Sequence, residues 1–326
     1  LAGLLAGLVL FHALRRRVPR TWALAGAVLL WLHPSMLFFG LTLWPVALAT
    51  LLTASLALCA LRLAEQPDRP DRQWAFGIVL APLPFFAAPA LALLPGLLVW
   101  PGPGRLPRTL GPSLALWIPW LLLASSNLGI FTPMGLSGPR DLALGHHPAI
   151  AQDRGSLWGD PEGKAALQAD LDAVCRGAGG SLPDRVRCEA LAARDIAWEN
   201  IRSEPGVAVA RGLRKLEETW RSDRFLLRHL EELGRPPPGW LATLLIGLHA
   251  LILLAALAGL RCPEGRSAAL AVALWCVPVL VTVGFTRLRQ PLLPWLIVAA
   301  ECGWIAILRD PWRPTRTNEQ RDAQTD

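Results

Sequence analysis

From residue 239 to residue 260 the chain reads GWLATLLIGLHALILLAALAGL, without one acidic, lysine or arginine side chain. As a helix, a run of this length covers a hydrocarbon core of about 30 Å. A water-soluble helix buries one stripe, whereas this run is apolar on every side. In lipid every backbone polar group must be satisfied within the protein, so only helices or a closed barrel can span, and a run this long selects helices. Further apolar runs at 1–14, 22–41, 43–63, 74–100, 110–126, 267–285 and 291–308 repeat the pattern. The expected fold class is an all-α integral membrane protein, a polytopic helical bundle of about eight or nine spans with one mainly helical external loop domain. Charged residues agree, at 17% of the chain against roughly 25% in soluble domains. The run from Leu1, with no charge ahead of it, is expected to be the end of a longer first span.

Positive charge orders the spans. The net charge of +7 comes almost entirely from arginine, because Lys164 and Lys215 are the only lysines. The arginines flank apolar runs instead of forming one basic face, which argues against nucleic acid as a partner. RRRVPR (15–20), AEQPDRPDRQ (64–73), PGPGRLPR (101–108) and the tail after 308 are expected on the cytoplasmic side. That assignment requires 74–100, with Pro82, Pro84, Pro89 and Pro95, to be two short or re-entrant pieces. The domains are then a transmembrane bundle over 1–126, an external domain over 127–239, transmembrane helices over 240–308 and a disordered cytoplasmic tail over 309–326. The residue bias suggests a bacterial inner membrane, with the large loop facing the periplasm.

Within the loop, Val186, Ala190, Ala193, Ala197 and Ile201 form one helical stripe. Val209, Leu213, Leu216 and Trp220 form a second, with Ser203 as its expected N-cap and Pro205 in its first turn. Mutual packing of the two helices is the expectation, and lying along the membrane surface is the alternative. Cys175 and Cys188 are the only thiols in the loop, so an oxidising compartment makes them a disulfide candidate; two separate thiols are the alternative. Cys59, Cys262, Cys276 and Cys302 lie in or beside spans and serve as small apolar filler. Trp120, Trp240 and Trp295 suit interfacial belts, and Glu301, inside an apolar run, is expected to face the bundle or a polar cavity, with a structural pairing to an arginine open to it.

The stretch TRLRQPLLP (286–294) places Arg287 and Arg289 at the external end of a span, against the positive-inside bias. Ahead of it stand Pro119–Trp120, then Gly129, Phe131 and Pro133, LALGHHP (142–148), and a helix ending K-x-x-x-x-W from Lys215 to Trp220. In this order the features resemble the polytopic, C-type-fold glycosyltransferases of the protein mannosyltransferase and aminoarabinose transferase superfamily, over nearly the whole chain. Arg287, Arg289, Pro291 and Pro294 are similar to that family's Arg-Tyr-Arg and Pro-x-x-Pro element, with Leu288 in the aromatic place.

The resemblance implies inverting transfer of a sugar from a polyprenyl-phosphate donor to a lipid, polysaccharide or protein acceptor. It assigns the donor phosphate to Arg287 and Arg289. Arginine suits that role, because its charged donor fork fits phosphate oxygens and stabilises charge that grows on a departing phosphate. Read as an extended turn, 287–289 carries both arginines on one side. The chain departs from the family at Leu43–Trp44, where an acid is expected, and at LAPLPFF (80–86), which lacks an arginine. The family's usual catalytic carboxylate sits in a first external loop, which is expected upstream of this chain.

Of the visible acids, Asp141 is the candidate for a base that deprotonates the acceptor, with a loop-capping aspartate as the ordinary reading. His146 and His147 are candidates for the acceptor cleft, with an exposed loop pair as the ordinary reading. No residues with metal-ligand spacing are present; no metal site is assigned, and a divalent cation stays open as a cofactor. Three rivals remain: a transporter or lipid-carrier binder without chemistry, a polysaccharide ligase or polymerase, and a degenerate relative of the transferases.

Overall fold

A computed structural model of the chain describes residues 1–41, 45–98, 103–131, 137–150, 160–177, 180–220, 227, 230–231, 234–282 and 286–309; the side chains of 40, 41, 97, 98, 103, 137, 286, 287 and 309 fall outside that description. Pro133, the aligned Leu43–Trp44 and the tail from 310 therefore lie outside the described residues. Among those described, the regular structure is helical, with no strand.

The elements of the first half are α1 (Ala2–Leu14), α2 (Arg20–Leu32), α3 (Pro34–Leu41), α4 (Val46–Glu65), α5 (Pro70–Leu80), α6 (Leu83–Phe86) and α7 (Leu106–Leu128). The loop domain holds α8 (Ser137–His146), α9 (Pro161–Val174), α10 (Leu182–Ser203) and α11 (Pro205–Trp220). The bundle is completed by α12 (Gly239–Gly259), α13 (Pro263–Val281), the single turn α14 (Thr286–Arg289) and α15 (Leu293–Arg309). Five stretches among the described residues are helical, long and apolar enough to cross a membrane: α4, α7, α12, α13 and Gln290–Leu308. Helices α1 and α2 are shorter apolar helices. Outward-facing leucines and isoleucines such as Leu122, Ile246 and Leu254 make the surface of the bundle one that lipid tolerates and water does not. The chain is an all-α membrane protein.

Two expected spans are broken by proline. The run 22–41 divides at His33, whose extended ψ of 120° ends α2, because the ring of Pro34 disfavours a helical residue before it. In 74–100 the α-helix stops at Leu80, and after the turn of α6 the chain continues as a 3-10 segment over Ala88–Leu98. This segment turns the chain back. Helices α5 and α7 run parallel, held by Ser113 Oγ donating to Gly77 O at 3.3 Å and Trp117 Nε1 to Ala81 O at 2.7 Å. At their start Arg105 Nη2 meets Asp68 Oδ1 at 2.8 Å, so the two helices begin at the same end of the bundle.

The centre of the bundle is α15, which buries Leu293, Ile297, Val298 and Ala300 among α2, α4, α12 and α13. It runs parallel to α12, and the two touch through small residues. A Cβ on Gly259 would lie 2.1 Å from Ala299 O, and one on Gly303 would lie 2.1 Å from Ala255 O. Ala255/Gly259 and Ala299/Gly303 thus form matching small-x-x-x-small pairs, the device that lets helix backbones meet where no hydrophobic effect drives them together. Glu301 is buried in this bundle and faces Gly26, and no arginine pairs with it among the described residues. Trp295 is buried too, which corrects its expected place in an interfacial belt; Trp120 and Trp240 are exposed.

In the loop domain Ala143, Leu167, Leu171, Ala192, Ala193 and Ala197 form a small core, closed by a Cys175–Cys188 disulfide. Asp160 caps α9 by accepting from Gly163 N at 2.9 Å, and Ser181 caps α10. The α10 stripe faces this core. The α11 stripe does not: Val209 is 64% and Leu213 60% exposed, while Gly212, Lys215 and Thr219 are buried. Ser203 closes α10, its hydroxyl donating to Asn200 O at 3.2 Å, instead of capping α11.

Candidate functional site

The burial of α11, turned about 100° away from its apolar stripe, creates the site. Gly212 lets α11 lie against the end of α13, since a Cβ there would come 2.8 Å from Leu280 O. Helix α8 approaches the same point even more closely: a Cβ on Gly145 would lie 2.0 Å from Thr282 O and 2.6 Å from Lys215 Nζ. No side chain fits at either position without displacement. Three backbones converge, and the side chains between them are basic.

His146, the last residue of α8, is 5% exposed and places Nε2 at 2.8 Å from Val281 O and 3.4 Å from Lys215 Nζ. A carbonyl oxygen only accepts, so Nε2 carries the proton in the first contact. Lys215 then faces a donor and not an acceptor. It is 3% exposed, and among the described residues no carboxylate lies within ion-pairing distance of it. Burial, with the Arg211 charge adding to it, pulls the Lys215 ammonium down to about 7. Burial and then the Lys215 charge pull His146 down to about 4, against the Val281 carbonyl. One turn along α11, Thr219 Oγ1 donates to Lys215 O, and Thr219 O accepts from Arg289 Nη1 at 3.1 Å.

Arg289 is fully buried. It does not stand on an extended turn. Residues 286–289 form one helical turn continued by a 3-10 turn over Gln290–Leu292, so positions 287 and 289 are about 200° apart around the axis and do not share a side. Pro291 fits there because the first positions of a helical turn need no donor. The backbone of Arg287 belongs to this turn, and its side chain lies outside the described residues. The turn is braced on both flanks: Trp275 Nε1 donates to Leu288 O at 2.9 Å, and Thr53 Oγ1 of α4 donates to Pro291 O. His33 and His249, both buried, lie within electrostatic reach of Arg289, and His249 Nε2 contacts Trp220 O at 2.9 Å.

Beside this cluster a cavity of about 250 Å³ opens between the end of α10 and the first turns of α11, lined by His146, Asn200, Ser203, Glu204, Val207 and Arg211. Arg211 shapes its wall by donating to His147 O at 2.8 Å and Ile150 O at 3.2 Å. His147 points elsewhere. It is 3% exposed, its Nε2 contacts Asp170 Oδ2 at 3.0 Å, and its Nδ1 accepts from Ala149 N. The two histidines are therefore buried, not an exposed loop pair, because α8 ends between the bundle and α9. Asp141 lies half-buried on α8 and does not line the cavity; the carboxylate that does is Glu204.

The site thus joins Arg289 and His146, which the sequence points to, with Lys215, Arg211, Thr219, His33 and His249. The signal in the sequence is the spacing of Gly212, Lys215 and Thr219 along one side of a helix that also carries an apolar stripe. Buried donors held in place by backbone carbonyls, with no carboxylate beside Lys215 among the described residues, favour an anionic ligand. Among the described residues no group of histidines, cysteines and acids is arranged to hold a metal. No protein-family model, curated protein or solved structure matches the chain.

Proposed function

We propose that this chain is the membrane body of a glycosyltransferase that takes its sugar from a polyprenyl-phosphate donor. Arg289 and Lys215 hold the donor phosphate at the loop-bearing end of the bundle. The observation that carries the reading is Lys215, buried without a carboxylate partner among the described residues, one helical turn from the residue that anchors Arg289. A phosphate dianion at that point supplies the counter-charge and accepts from both side chains. As the glycosidic bond to phosphate breaks, the same donors stabilise the charge left on the phosphate. The cavity beside His146 and Arg211 receives the polar part of the donor or the acceptor. The arginine-rich end, with Arg16, Arg17, Arg62, Arg72 and Arg105, is the cytoplasmic side, and the loop domain is external in a bacterial inner membrane.

A second reading keeps the lipid carrier and drops the chemistry, and a specific observation favours it: Asp141 stands outside the cavity, and Glu204 is the only carboxylate lining it among the described residues. Binding of decaprenyl phosphate to the purified chain in nanodiscs tests both readings. Arg289→Ala and Lys215→Gln are each expected to weaken binding about tenfold or more, the scale of a lost charge-assisted hydrogen bond. Unchanged affinity in both variants overturns the phosphate assignment. Binding that survives without sugar transfer to any acceptor favours the carrier-binding reading.

A further inference from the structure

At the end of the bundle opposite the loop domain, the geometry points to a site for the headgroup of an anionic phospholipid in the cleft between α1, α4 and α5. The cleft has a volume of about 210 Å³ and is lined by Arg16, Cys59, Arg62, Asp71, Arg72 and Ala75. Its charge is unbalanced toward positive. Glu65 is shared by three guanidinium groups, Arg16 at 3.1 Å, Arg72 at 3.5 Å and Arg17 at 3.9 Å, and Arg17 also reaches Glu264 at 3.2 Å. Asp71, the acid in the lining, is engaged by Arg69 through two bonds of 2.9 and 3.3 Å. Arg72 further donates to Arg62 O, closing the rim between α4 and α5. The Arg62 guanidinium makes no hydrogen bond or ion pair among the described residues, so its charge is available to a ligand.

The occupant is an amphiphile and not a free ion, because the cleft continues into apolar surface. On α5, Asp71, Ala75 and Ile78 follow one another on one helical face, and Ile78 is 59% exposed. On α4, Arg62, Cys59, Ser55 and Leu52 do the same, with Leu52 half-buried. A basic pocket between helix ends, opening onto a greasy groove, matches a phosphodiester headgroup with its acyl chains lying along α4 and α5. The site is at the other end of the molecule from Lys215 and Arg289, so it stands or falls independently of the transferase reading.

Cys59, half-buried in the lining, reports on occupancy. In full-length protein with Cys262, Cys276 and Cys302 replaced by alanine and the disulfide kept, maleimide labelling of Cys59 is followed in detergent. Titration with phosphatidylglycerol is expected to slow labelling at least fivefold, and phosphatidylcholine is expected to leave it unchanged. Arg62→Gln abolishes the protection, while Arg62→Lys keeps part of it; native mass spectrometry of the same samples counts the lipid retained. Equal protection by phosphatidylcholine overturns the proposal, as does full protection in Arg62→Gln. Protection by inorganic phosphate alone, as strong as by the lipid, also overturns it by making the site one for a free anion.

Discussion

Replacing Lys215 with methionine removes a buried charge while keeping most of the side chain's volume. A lysine normally loses its proton near 10.5, and in the folded chain burial brings this down to about 7. Below pH 7 both folded and unfolded chains carry the proton, and folding bears the whole cost of burying it. From pH 7 to 10.5 the unfolded chain holds one more proton than the folded one, so stability rises with pH. At 1.36 kcal/mol for each tenfold, the cost is at most about 5 kcal/mol at pH 7 and about 2 kcal/mol at pH 9. Lys215→Met in ligand-free protein should therefore raise the apparent Tm at pH 7, with a gain that shrinks through pH 9 and disappears toward 10.5. Thermal unfolding of both proteins in one detergent, at half-unit pH steps, measures the difference and cancels groups common to the two. Added decaprenyl phosphate should reverse the order at pH 7, because only the wild type gains a partner for its charge. A variant less stable than wild type at pH 7, or a gain that does not change between pH 7 and 9, refutes the reasoning.

Gly303→Leu forces a side chain against Ala255 O and should cost about 3 kcal/mol or more, seen as early loss of monomeric folded protein on heating in a fluorescence-detected size-exclusion assay. Cys175→Ser with Cys188→Ser opens a loop with a sequence separation of 13 and should destabilise the loop domain by about 3 kcal/mol, read as faster amide exchange in α9 and α10 while α12 and α13 are unchanged. Single cysteines placed at Gln66 and Gly104 should be labelled from one side of the membrane, and one at Gly234 from the other, because Arg105 meets Asp68 at the arginine-rich end; labelling of positions 66 and 104 from opposite sides would refute the return of the chain through 88–98.

The bundle was legible because spanning helices are apolar on all sides over a length set by the bilayer. Regions such as 239–260 and 291–308 have few other solutions. Proline also announced itself, although it foretold breaks better than their form: the helical turn at 286–289 replaces an extended one because Gln290 and Pro291 open a 3-10 turn that continues it. The face of α11 was not legible. Apolar periodicity locates the side of a helix that avoids water, but here the neighbouring surface is the end of a lipid-embedded bundle whose carbonyls need donors. At that junction His146 donates to Val281 O and Arg289 donates to Thr219 O, and Leu213 is left outside. Long-range pairings such as Lys215 with His146, or Arg289 with Thr219, depend on how three backbones converge at Gly145 and Gly212, which no local pattern encodes.

The packing of α15 bears on biogenesis. The helix at the centre of the bundle is made after α1, α2 and α4, which surround it, and Thr53 waits through 238 residues of synthesis for the carbonyl of Pro291. Until α15 leaves the translocon, the earlier helices must hold open a groove in lipid, exposing the buried hydroxyls of Thr50 and Thr53 and the face of α2 at Gly26 that later meets Ile297 and Glu301. Insertion chaperones that shield half-built bundles should therefore crosslink to α4 in nascent chains that end before residue 290 and release it once 291–308 has entered the membrane.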